Sequence, residues 1–404
     1  MVITSYPIHG TVHTGGGLAS YTKNTLLGIK KAFPDQKIIV LANTIKDPET
    51  YEENGILVLR CWRRNSTTLL SSILKQIISF NSVKNILFEF EFAAYGNLFI
   101  TSLLPIFLAS LKLMGKNLVG VIHQVVTDLS QLTSHVGITK NDVSKYNFFL
   151  KLYYQLLLSV FANVVVLETE LKNRLDKLTH SHDNIICLPH GIVPQKKHHQ
   201  SAAKKILGLE RGTFHVLAFG YLGYYKGSDL LVKAFQKPIK VNGKNVKLIL
   251  AGGESPTQGQ KGHYQAYYAK LYHEIDSNPN IIHTGFVPDS KIKKYFSASD
   301  LTVFPYRSFM SASGPASLAL SYGNKMLVSE AFSHYSKATF KLDTASLRRA
   351  IVTQLKKSKS HTDASVLADR SFVKQASQYR ELFAKLDLWP KTSLNFDTSP
   401  HFAK

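Results

Sequence analysis

The sequence predicts an α/β protein with two domains, each built on a parallel β-sheet that helices cover on both faces. Short apolar runs alternate with amphipathic stretches along the chain, a pattern typical of βαβ units. The 404 residues are many for one core and suit two domains of about 150 to 200 residues each. A basic, polar stretch over residues 194–205 interrupts the pattern and is interpreted as the interdomain linker.

The predicted strands fall into two groups, one on each side of this linker. Each is a short apolar run bounded by polar, Gly or Pro residues. The first domain, residues 1–193, contains runs at 37–43, 85–90, 117–123, 163–169 and 185–191. The second domain, residues 194–375, contains runs at 214–223, 246–253, 280–287, 301–306 and 325–330. Because helical stretches separate the runs, both sheets are predicted to be parallel.

The composition is that of a globular protein with an excess of basic residues. Hydrophobic residues make up 44% of the chain and charged residues 19%. The formal net charge of +22 predicts attraction to polyanions such as nucleic acid, anionic lipid or phosphorylated ligands. We do not expect nucleic acid as a partner, because no recognised motif or aromatic and basic platform accompanies the charge.

Two apolar segments, residues 98–115 and 146–162, accompany part of the positive charge. Polar and charged residues interrupt both, so neither is predicted to span a membrane. They suit a protein that rests on an anionic leaflet, and a basic protein without a membrane partner is the alternative. No secretory signal pattern opens the sequence. We expect a cytoplasmic protein, peripheral on the inner face of the cell membrane. Cys61 and Cys187 predict neither a disulfide nor a metal site.

Two Gly-containing turns are the first candidates for ligand binding. Residues 15–17 are three glycines directly before a helical pattern. Glycines there allow a ligand close to the backbone and leave helix N–H groups facing a phosphate or a sugar. A plain turn explains them equally well, because the spacing matches neither a dinucleotide motif nor a P-loop. In residues 219–235, Lys226 enters a helix N-terminus, where it opposes the helix dipole. A bound diphosphate would offset this repulsion, and a solvated lysine is the alternative.

Several motifs follow one another along the chain: GGGLASYT (15–22), VGVIHQV (119–125), LPHGI (188–192), FGYLGYYKGSDLLVKAF (219–235), GFVPDSKIKKYFSASDLTVFPY (285–306) and ASLALSYG (316–323). Their sequences and their order resemble those of the retaining glycosyltransferases of family 4. The resemblance implies the GT-B fold, in which two Rossmann-like domains face each other across a cleft. It also implies a C-terminal helix, residues 376–390, that crosses back to the N-terminal domain.

The resemblance assigns roles to individual residues. It implies that Lys226 neutralises the donor diphosphate and that His123 lies near the donor sugar; a satisfied histidine at a strand end is the alternative for His123. The catalytic residues would then be His123 and Lys226. The implied donor-binding residues are Gly16, Gly17, Tyr221, Phe286, Val287, Arg307, Ser313, Gly314, Pro315 and Ala316. Phe286 and Val287 match the loop where backbone groups contact the base, and residues 313–316 match a helix start whose amides hold phosphate oxygens.

The sequence departs from the family pattern at two points. Tyr221 stands where the family usually has an arginine, and Arg307 is the candidate for the second positive charge. Met310 and Leu318 stand where the family usually carries two glutamates. Three explanations remain open. Serines and amides replace the acids in this variant, or a neighbouring acid such as Glu330 or Glu254 reaches the sugar, or the chain is an inactive subunit that binds a partner.

The resemblance implies a nucleotide-sugar-dependent hexosyltransferase that acts with retention. The donor would be a nucleotide sugar such as a UDP- or GDP-hexose, and no cofactor or metal is expected. The acceptor would be a hydroxyl on a cell-surface polysaccharide or a lipid-linked precursor. The departing diphosphate, held by Lys226 and the amides of residues 313–316, would accept the proton of that hydroxyl. The alternatives are a non-catalytic glycosyltransferase-like subunit and an epimerase of the same fold.

Overall fold

A computed structural model describes residues 1–12, 14–130, 132–133, 138–179, 184–255, 258–260, 262–357 and 369–385. The described residues form two parallel sheets, each covered by helices, so the predicted α/β class is confirmed. All ten apolar runs named above contain a strand. No helix among the described ranges is both long enough and apolar enough to cross a bilayer.

The first sheet has eight strands in the described part of the chain, in the order β3-β4-β2-β1-β5-β6-β7-β8. Its pairings are parallel apart from the antiparallel β3 and β4. The strands are β1 (Val2–Thr4), β2 (Ile38–Asn43), β3 (Glu49–Glu53), β4 (Ile56–Trp62), β5 (Asn85–Phe90), β6 (Asn117–Ile122), β7 (Asn163–Val166) and β8 (Ile185–Cys187). The helices of this part are α1 (Gly17–Ala32), α2 (Leu69–Ser79), α3 (Phe92–Tyr95), α4 (Leu98–Leu113), α5 (Val143–Ser159) and α6 (Thr169–Thr179).

The second sheet has seven strands among the described residues, in the order β10-β11-β9-β13-β14-β15, with β12 paired to β11. Only β10 runs antiparallel to its neighbour. The strands are β9 (Phe214–Phe219), β10 (Ile239–Val241), β11 (Lys244–Ala251), β12 (Ile281–His283), β13 (Leu301–Phe304), β14 (Met326–Ser329) and β15 (Thr339–Phe340). The helices are α7 (Gln200–Ile206), α8 (Ser228–Ala234), α9 (Gly262–Asp276), α10 (Asp289–Ala298), α11 (Gly314–Ser321), α12 (Thr344–Lys356) and α13 (Phe372–Lys385).

Helices cover both faces of the first sheet. Because successive strand residues point to opposite faces, the side chains of each strand are buried in two cores. Ile86 and Phe88 pack in the core on the side of α2, α4 and α5, whereas Leu87 packs in the core on the side of α1 and α13. Glu89 therefore points towards α1, where Thr22 donates to it. A carboxylate thus lies inside an otherwise apolar layer.

The last described helix, α13, packs against α1 of the first sheet. The hydroxyls of Tyr21 and Tyr379 are 3.2 Å apart between the two helices. The helices approach closely at Gly28, where a Cβ would lie 2.7 Å from the carbonyl oxygen of Phe372. Just before α13, Arg370 binds Glu168 at 2.7 and 3.0 Å. These contacts attach the chain's last described segment to the N-terminal domain; residues 386–390 of the expected helix lie outside the described part.

Candidate functional site

The carboxyl ends of the two sheets face each other and are joined by direct contacts. The loop after β6 pairs with the loop after β13: Gln124 forms an antiparallel bridge with Ser311, and the Val125 N–H donates to the Met310 carbonyl at 3.1 Å. Arg174 of α6 donates to the carbonyls of Val125, at 3.0 Å, and of Phe309. Ligands of open parallel sheets bind beyond the carboxyl ends of the strands. The cleft beside this contact is therefore the candidate site.

Lys226 lies in a small pocket on the C-terminal side of the cleft. The pocket is lined by residues that follow β9 and β13 and by the start of α8: Ala218, Phe219, Gly220, Tyr221, Leu222, Lys226, Ser228, Leu231, Val303, Phe304, Pro305 and Tyr306. Lys226 Nζ is 5.7 Å from the ring centre of Tyr225 and 5.8 Å from that of Tyr306. It has no ion-pair partner among the described residues. Burial lowers the pKa of Lys226 to about 8.

The start of α11 lies beside this lysine. A Cβ built on Gly220 would be 2.8 Å from Pro315 Cγ and 3.5 Å from Lys226 Nζ. The structure thus brings together Lys226, Pro315 and the turn that carries Tyr221. An unpartnered, partly desolvated cation beside a helix N-terminus attracts an anion.

Gly227 fixes the course of the chain directly after this lysine. Its φ is +69°, and a Cβ there would lie 2.0 Å from the Pro305 carbonyl oxygen. We expect Gly227→Ala to lower the free energy of unfolding by about 3 kcal/mol or more, because backbone strain and a clash with backbone add. Gly243→Ala is the matched control, since its φ is +76° and no atom lies within 4 Å of the Cβ position. It should lose only about 1–2 kcal/mol. Urea unfolding checks both values; equal losses would contradict the close contact.

Arg307 is held by other groups and does not act as a second free cation. Its guanidinium binds both carboxylate oxygens of Asp229, at 2.8 and 2.7 Å, and stacks 4.1 Å from the ring centre of Tyr224. It also donates to the Tyr224 carbonyl. These contacts orient the turn before α8. Arg307 thus stabilises the turn that carries Lys226.

The amides of residues 313–316 are largely used within the protein. The Ser313 N–H donates to the Tyr335 hydroxyl at 3.0 Å, and the Ala316 N–H donates to Ser313 Oγ at 3.2 Å. Pro315 has no N–H. Of the four, Gly314 alone has an amide that no contact of the described structure uses. The expected cradle of several amides therefore reduces to one, because Ser313 caps the helix itself.

The remaining residues expected on the donor side lie around the same cleft with different exposure. Tyr221 is half-buried, and burial raises its pKa. Phe286 is exposed, whereas Val287 is buried in the core. A Cβ built on Gly253 would lie 3.5 Å from the Phe286 amide nitrogen, so this loop faces the one after β11.

On the N-terminal side, Gly16 and Gly17 start α1 and leave its first turn uncapped. Gly16 has a φ of +94°, and no side chain caps the helix. No atom lies within 4 Å of a Cβ position at either glycine. Tyr21 of the same helix stacks edge-on against His123, with ring centres 4.8 Å apart. The helix start and His123 therefore belong to one surface.

His123 directly follows β6 and faces a carboxylate that was not predicted. Its Nε2 lies 3.2 Å from Glu89 Oε2, at ion-pair distance but outside hydrogen-bond alignment. Glu89 is fully buried and accepts from Thr22 Oγ1 at 2.5 Å and from Thr4 Oγ1 at 3.3 Å. The sequence signal was an acid at the carboxyl end of an apolar strand, NILFEF.

Glu91, two residues later, is a second carboxylate at this edge. Burial raises its pKa, and the nearby charges of His123 and Arg64 oppose that rise. Its charge also acts on Tyr225 of the C-terminal domain. Glu91 is thus a half-buried acid that interacts electrostatically with groups on both sides of the cleft. By contrast, Glu330 is exposed, and a Cβ on Gly259 would meet Glu254 at 3.1 Å within its own loop.

We expect Glu89→Gln to lower the activity that the family resemblance implies by about 10- to 100-fold, because the carboxylate faces His123 at ion-pair distance and small misplacements of such groups are costly. The test compares the steady-state rates of Glu89→Gln, of His123→Ala and of the variant that combines both. If Glu89 acts through His123, the double variant should be no slower than His123→Ala. Multiplicative losses would show that Glu89 acts independently of His123.

Met310 and Leu318, which stand in place of two acids, have different surroundings. Met310 is 5% exposed and packs with Val126, Leu129 and Leu132 of the N-terminal domain. Leu318 is only partly buried, against the large core. Position 310 therefore joins the two domains by apolar contact.

No cluster of three or more His, Cys, Asp or Glu side chains suited to a metal ion occurs among the described residues. Cys61 and Cys187 are both free thiols, and burial raises the pKa of each.

Comparison with known proteins gives a family match over part of the chain and a common fold. Residues 199–320 match the family described as glycosyl transferases group 1. A search of the curated proteins finds no match. Three of the similar solved structures are sucrose-phosphate synthase from Thermosynechococcus elongatus (16% identity, 96% of this chain and 98% of that chain, TM-score 0.69), Anabaena HepE in complex with UDP and glucose (14%, 95% and 100%, 0.66) and WaaG, a glycosyltransferase involved in lipopolysaccharide biosynthesis (13%, 96% and 96%, 0.59). At these identities the likeness establishes the fold, which is GT-B.

Proposed function

We propose that this protein, which has the GT-B fold and matches the glycosyl transferases group 1 family over residues 199–320, is a glycosyltransferase that transfers a hexosyl group with retention from a nucleotide sugar. The acceptor is a hydroxyl of a cell-surface polysaccharide or of a glycolipid precursor. The enzyme acts in the cytoplasm, peripherally on the inner face of the membrane, and needs no cofactor besides its donor.

Lys226 is the observation that carries this proposal. Lys226 is desolvated and has no carboxylate partner in the described structure, and its contacts with the rings of Tyr225 and Tyr306 offset only part of the lost solvation. An anion bound at Nζ would offset the rest, and a diphosphate offers the required charge. Gly314 offers one further donor at the start of α11. HepE, which shares the fold, was solved with UDP and with UDP-glucose. A nucleotide sugar is thus the ligand that this pocket fits best.

The chemistry follows from which groups the cleft provides. When the bond between the sugar and the diphosphate breaks, negative charge develops on the leaving oxygen, and Lys226 stabilises it. The same phosphate oxygen then accepts the proton of the acceptor hydroxyl while the acceptor oxygen bonds to the sugar on the face just vacated. Met310 and Leu318 replace the acids of the family pattern, so no carboxylate nucleophile takes part. His123 and Glu91 contact the sugar from the N-terminal side.

The acceptor class is inferred from charge and from one relative. The net charge of +22 suits an anionic membrane surface. WaaG, which has the same fold, takes part in lipopolysaccharide biosynthesis. Both features favour an acceptor that is linked to lipid or to a growing surface polysaccharide.

Nucleotide release from a panel of UDP-, GDP- and ADP-sugars tests the proposal. We expect one donor to be hydrolysed slowly by water, and proton NMR of the released sugar to show the donor's anomeric configuration first. Inverted configuration would contradict retention. Binding of a donor without any release would identify a non-catalytic subunit, and a changed nucleotide sugar formed without acceptor would identify an epimerase.

A further inference from the structure

We propose that the outer faces of α4 and α5 form the surface by which the protein docks on an anionic lipid leaflet. The surface consists of the exposed apolar residues of these helices and the residue that follows α4: Leu98, Phe99, Ile106, Leu113, Met114, Tyr146, Phe148, Phe149, Leu152 and Leu156. It rests on the proposed function only for the statement that the acceptor lies at a membrane.

Both helices have a buried face and an apolar exposed face. On α4, Ile100, Leu104 and Leu108 are buried in the core. Phe99, Ile106 and Leu113 recur every seven residues on the opposite side, and Leu113 is 89% exposed. A helix of a water-soluble protein normally carries polar residues on that side. The outward apolar stripe therefore needs a partner.

The exposed stripe of α5 continues the same surface. Phe148, Phe149, Leu152 and Leu156 are exposed, whereas Tyr154, Leu157 and Leu158 are buried. The two helices lie side by side: the Tyr153 hydroxyl donates to the Thr101 carbonyl at 2.9 Å, and Lys112 Nζ donates to the Ser159 carbonyl at 3.2 Å. More than half of the exposed large apolar side chains of the described residues lie on this one face.

Charge identifies the occupant as an anionic leaflet. Residues 98–113 and 143–159 contain Lys112, Lys145 and Lys151 and no acidic residue. The carboxylates of the flanking loops, Asp128 and Asp142, accept hydrogen bonds from Ser130 and Thr139. Apolar side chains enter the boundary of head groups and acyl chains while lysines pair with lipid phosphates. A second copy of this chain would bring like charges together.

The docking surface and the cleft lie on opposite sides of α5, separated by the thickness of this helix. The inner face of α5 holds the loop after β6: the Val126 N–H donates to the Tyr154 hydroxyl at 2.9 Å, and the Leu129 N–H donates to Asn147 at 3.0 Å. The same loop contacts Met310 and Ser311 across the cleft. A leaflet on the outer face of α5 would thus lie about one helix diameter, roughly 10 Å, from that loop. The edge of the cleft would then lie close to acceptors anchored in the membrane.

A flotation assay of the full chain with two kinds of vesicle tests this surface. One kind contains phosphatidylcholine alone, and the other also contains about 30% phosphatidylglycerol, an anionic lipid. We expect binding to the anionic vesicles that weakens with salt. The triple variant Ile106→Ser, Phe148→Ser, Leu152→Ser should bind at least about tenfold more weakly. Ile45→Ser, Ile206→Ser, Leu342→Ser is the matched control, since those side chains are similarly exposed elsewhere, and it should bind like the wild type.

Charge reversal separates a local surface from the overall charge. Lys145→Glu with Lys151→Glu should weaken vesicle binding about tenfold or more, whereas Lys240→Glu with Lys291→Glu, which changes net charge equally, should not. The proposal would be overturned if the two double variants bound vesicles equally, or if the wild type did not bind vesicles. It would also be overturned if the wild type formed a dimer and the triple serine variant were a monomer. Because nucleotide release is measured without vesicles, failure here leaves the proposed transfer reaction intact, and failure of transfer leaves docking testable.

Discussion

Met310→Glu is expected to destabilise the protein by about 3 kcal/mol and to lower glycosyl transfer, although it restores an acid at a family position. The side chain at 310 is buried among Val126, Leu129 and Leu132, and an ionised carboxylate placed among these apolar side chains loses its hydration. The apolar contact that holds the two domains together would open. Thermal unfolding and nucleotide release measure the two effects.

Two further variants isolate the cause. Met310→Leu keeps volume and polarity, so its loss of stability should stay below about 1.5 kcal/mol. Leu318→Glu places an acid at a partly buried position of α11 and should cost less than Met310→Glu. Because burial raises the pKa of the introduced carboxyl group, the defect of Met310→Glu should shrink as the pH falls and the group becomes neutral. Increased transfer by a stable Met310→Glu protein would show that the site lacks only an acid.

Lys226→Met is expected to reduce transfer by about 10²- to 10³-fold while making the unliganded protein more stable. The loss follows from removing the charge that stabilises the leaving diphosphate. The gain, about 1–3 kcal/mol at pH 7, follows because burial of the ammonium lowers its pKa to about 8 from 10.5. Lys233→Met, on the exposed side of the same helix, is the control and should change neither quantity. Reduced stability of Lys226→Met would contradict an uncompensated burial.

The pH dependence of stability gives a second readout of the same lysine. A lowered pKa means that the unfolded chain binds the proton more tightly between about pH 8 and 10.5. The stability contributed by this group therefore rises with pH through that window. The difference in the free energy of unfolding between Lys226→Met and the wild type should therefore shrink as the pH rises from 8 to 10. Denaturant midpoints of both proteins at three pH values measure this difference.

Much of the fold could be predicted from the sequence because buried parallel strands are continuous apolar runs. The strands β5, β6, β7 and β13 all lie in such runs. The prediction missed β4, although its sequence ILVLRCW is an apolar run, and it missed four strands with weaker patterns, β1, β3, β10 and β15. β3 reads ETYEE and is largely exposed, and β1 and β15 have three and two residues. Their pairing depends on neighbouring strands rather than on their own composition.

The site was only partly predictable, because hydrogen-bond partners are not visible in a sequence. The sequence indicated Lys226 from its place at the start of a helix, and the family resemblance indicated His123. The sequence did not show that Asp229 binds Arg307 or that Glu89 lies beside His123. Nor did it show that Tyr335 and Ser313 accept hydrogen bonds from two of the amides expected to bind phosphate. Each of these contacts joins residues far apart in the sequence or competes locally for a donor. The acids inside NILFEFEF were the one available signal.

The central claim, that Lys226 receives the diphosphate of a nucleotide sugar, is tested most directly by calorimetric titration of UDP, GDP and ADP into wild type and Lys226→Met. One nucleotide should bind the wild type at pH 7 and about tenfold more weakly at pH 9, with proton uptake at the higher pH, because the free lysine is then largely neutral. Lys226→Met should bind it far more weakly and without that pH dependence. Equal affinity of the two proteins at both pH values would contradict the claim.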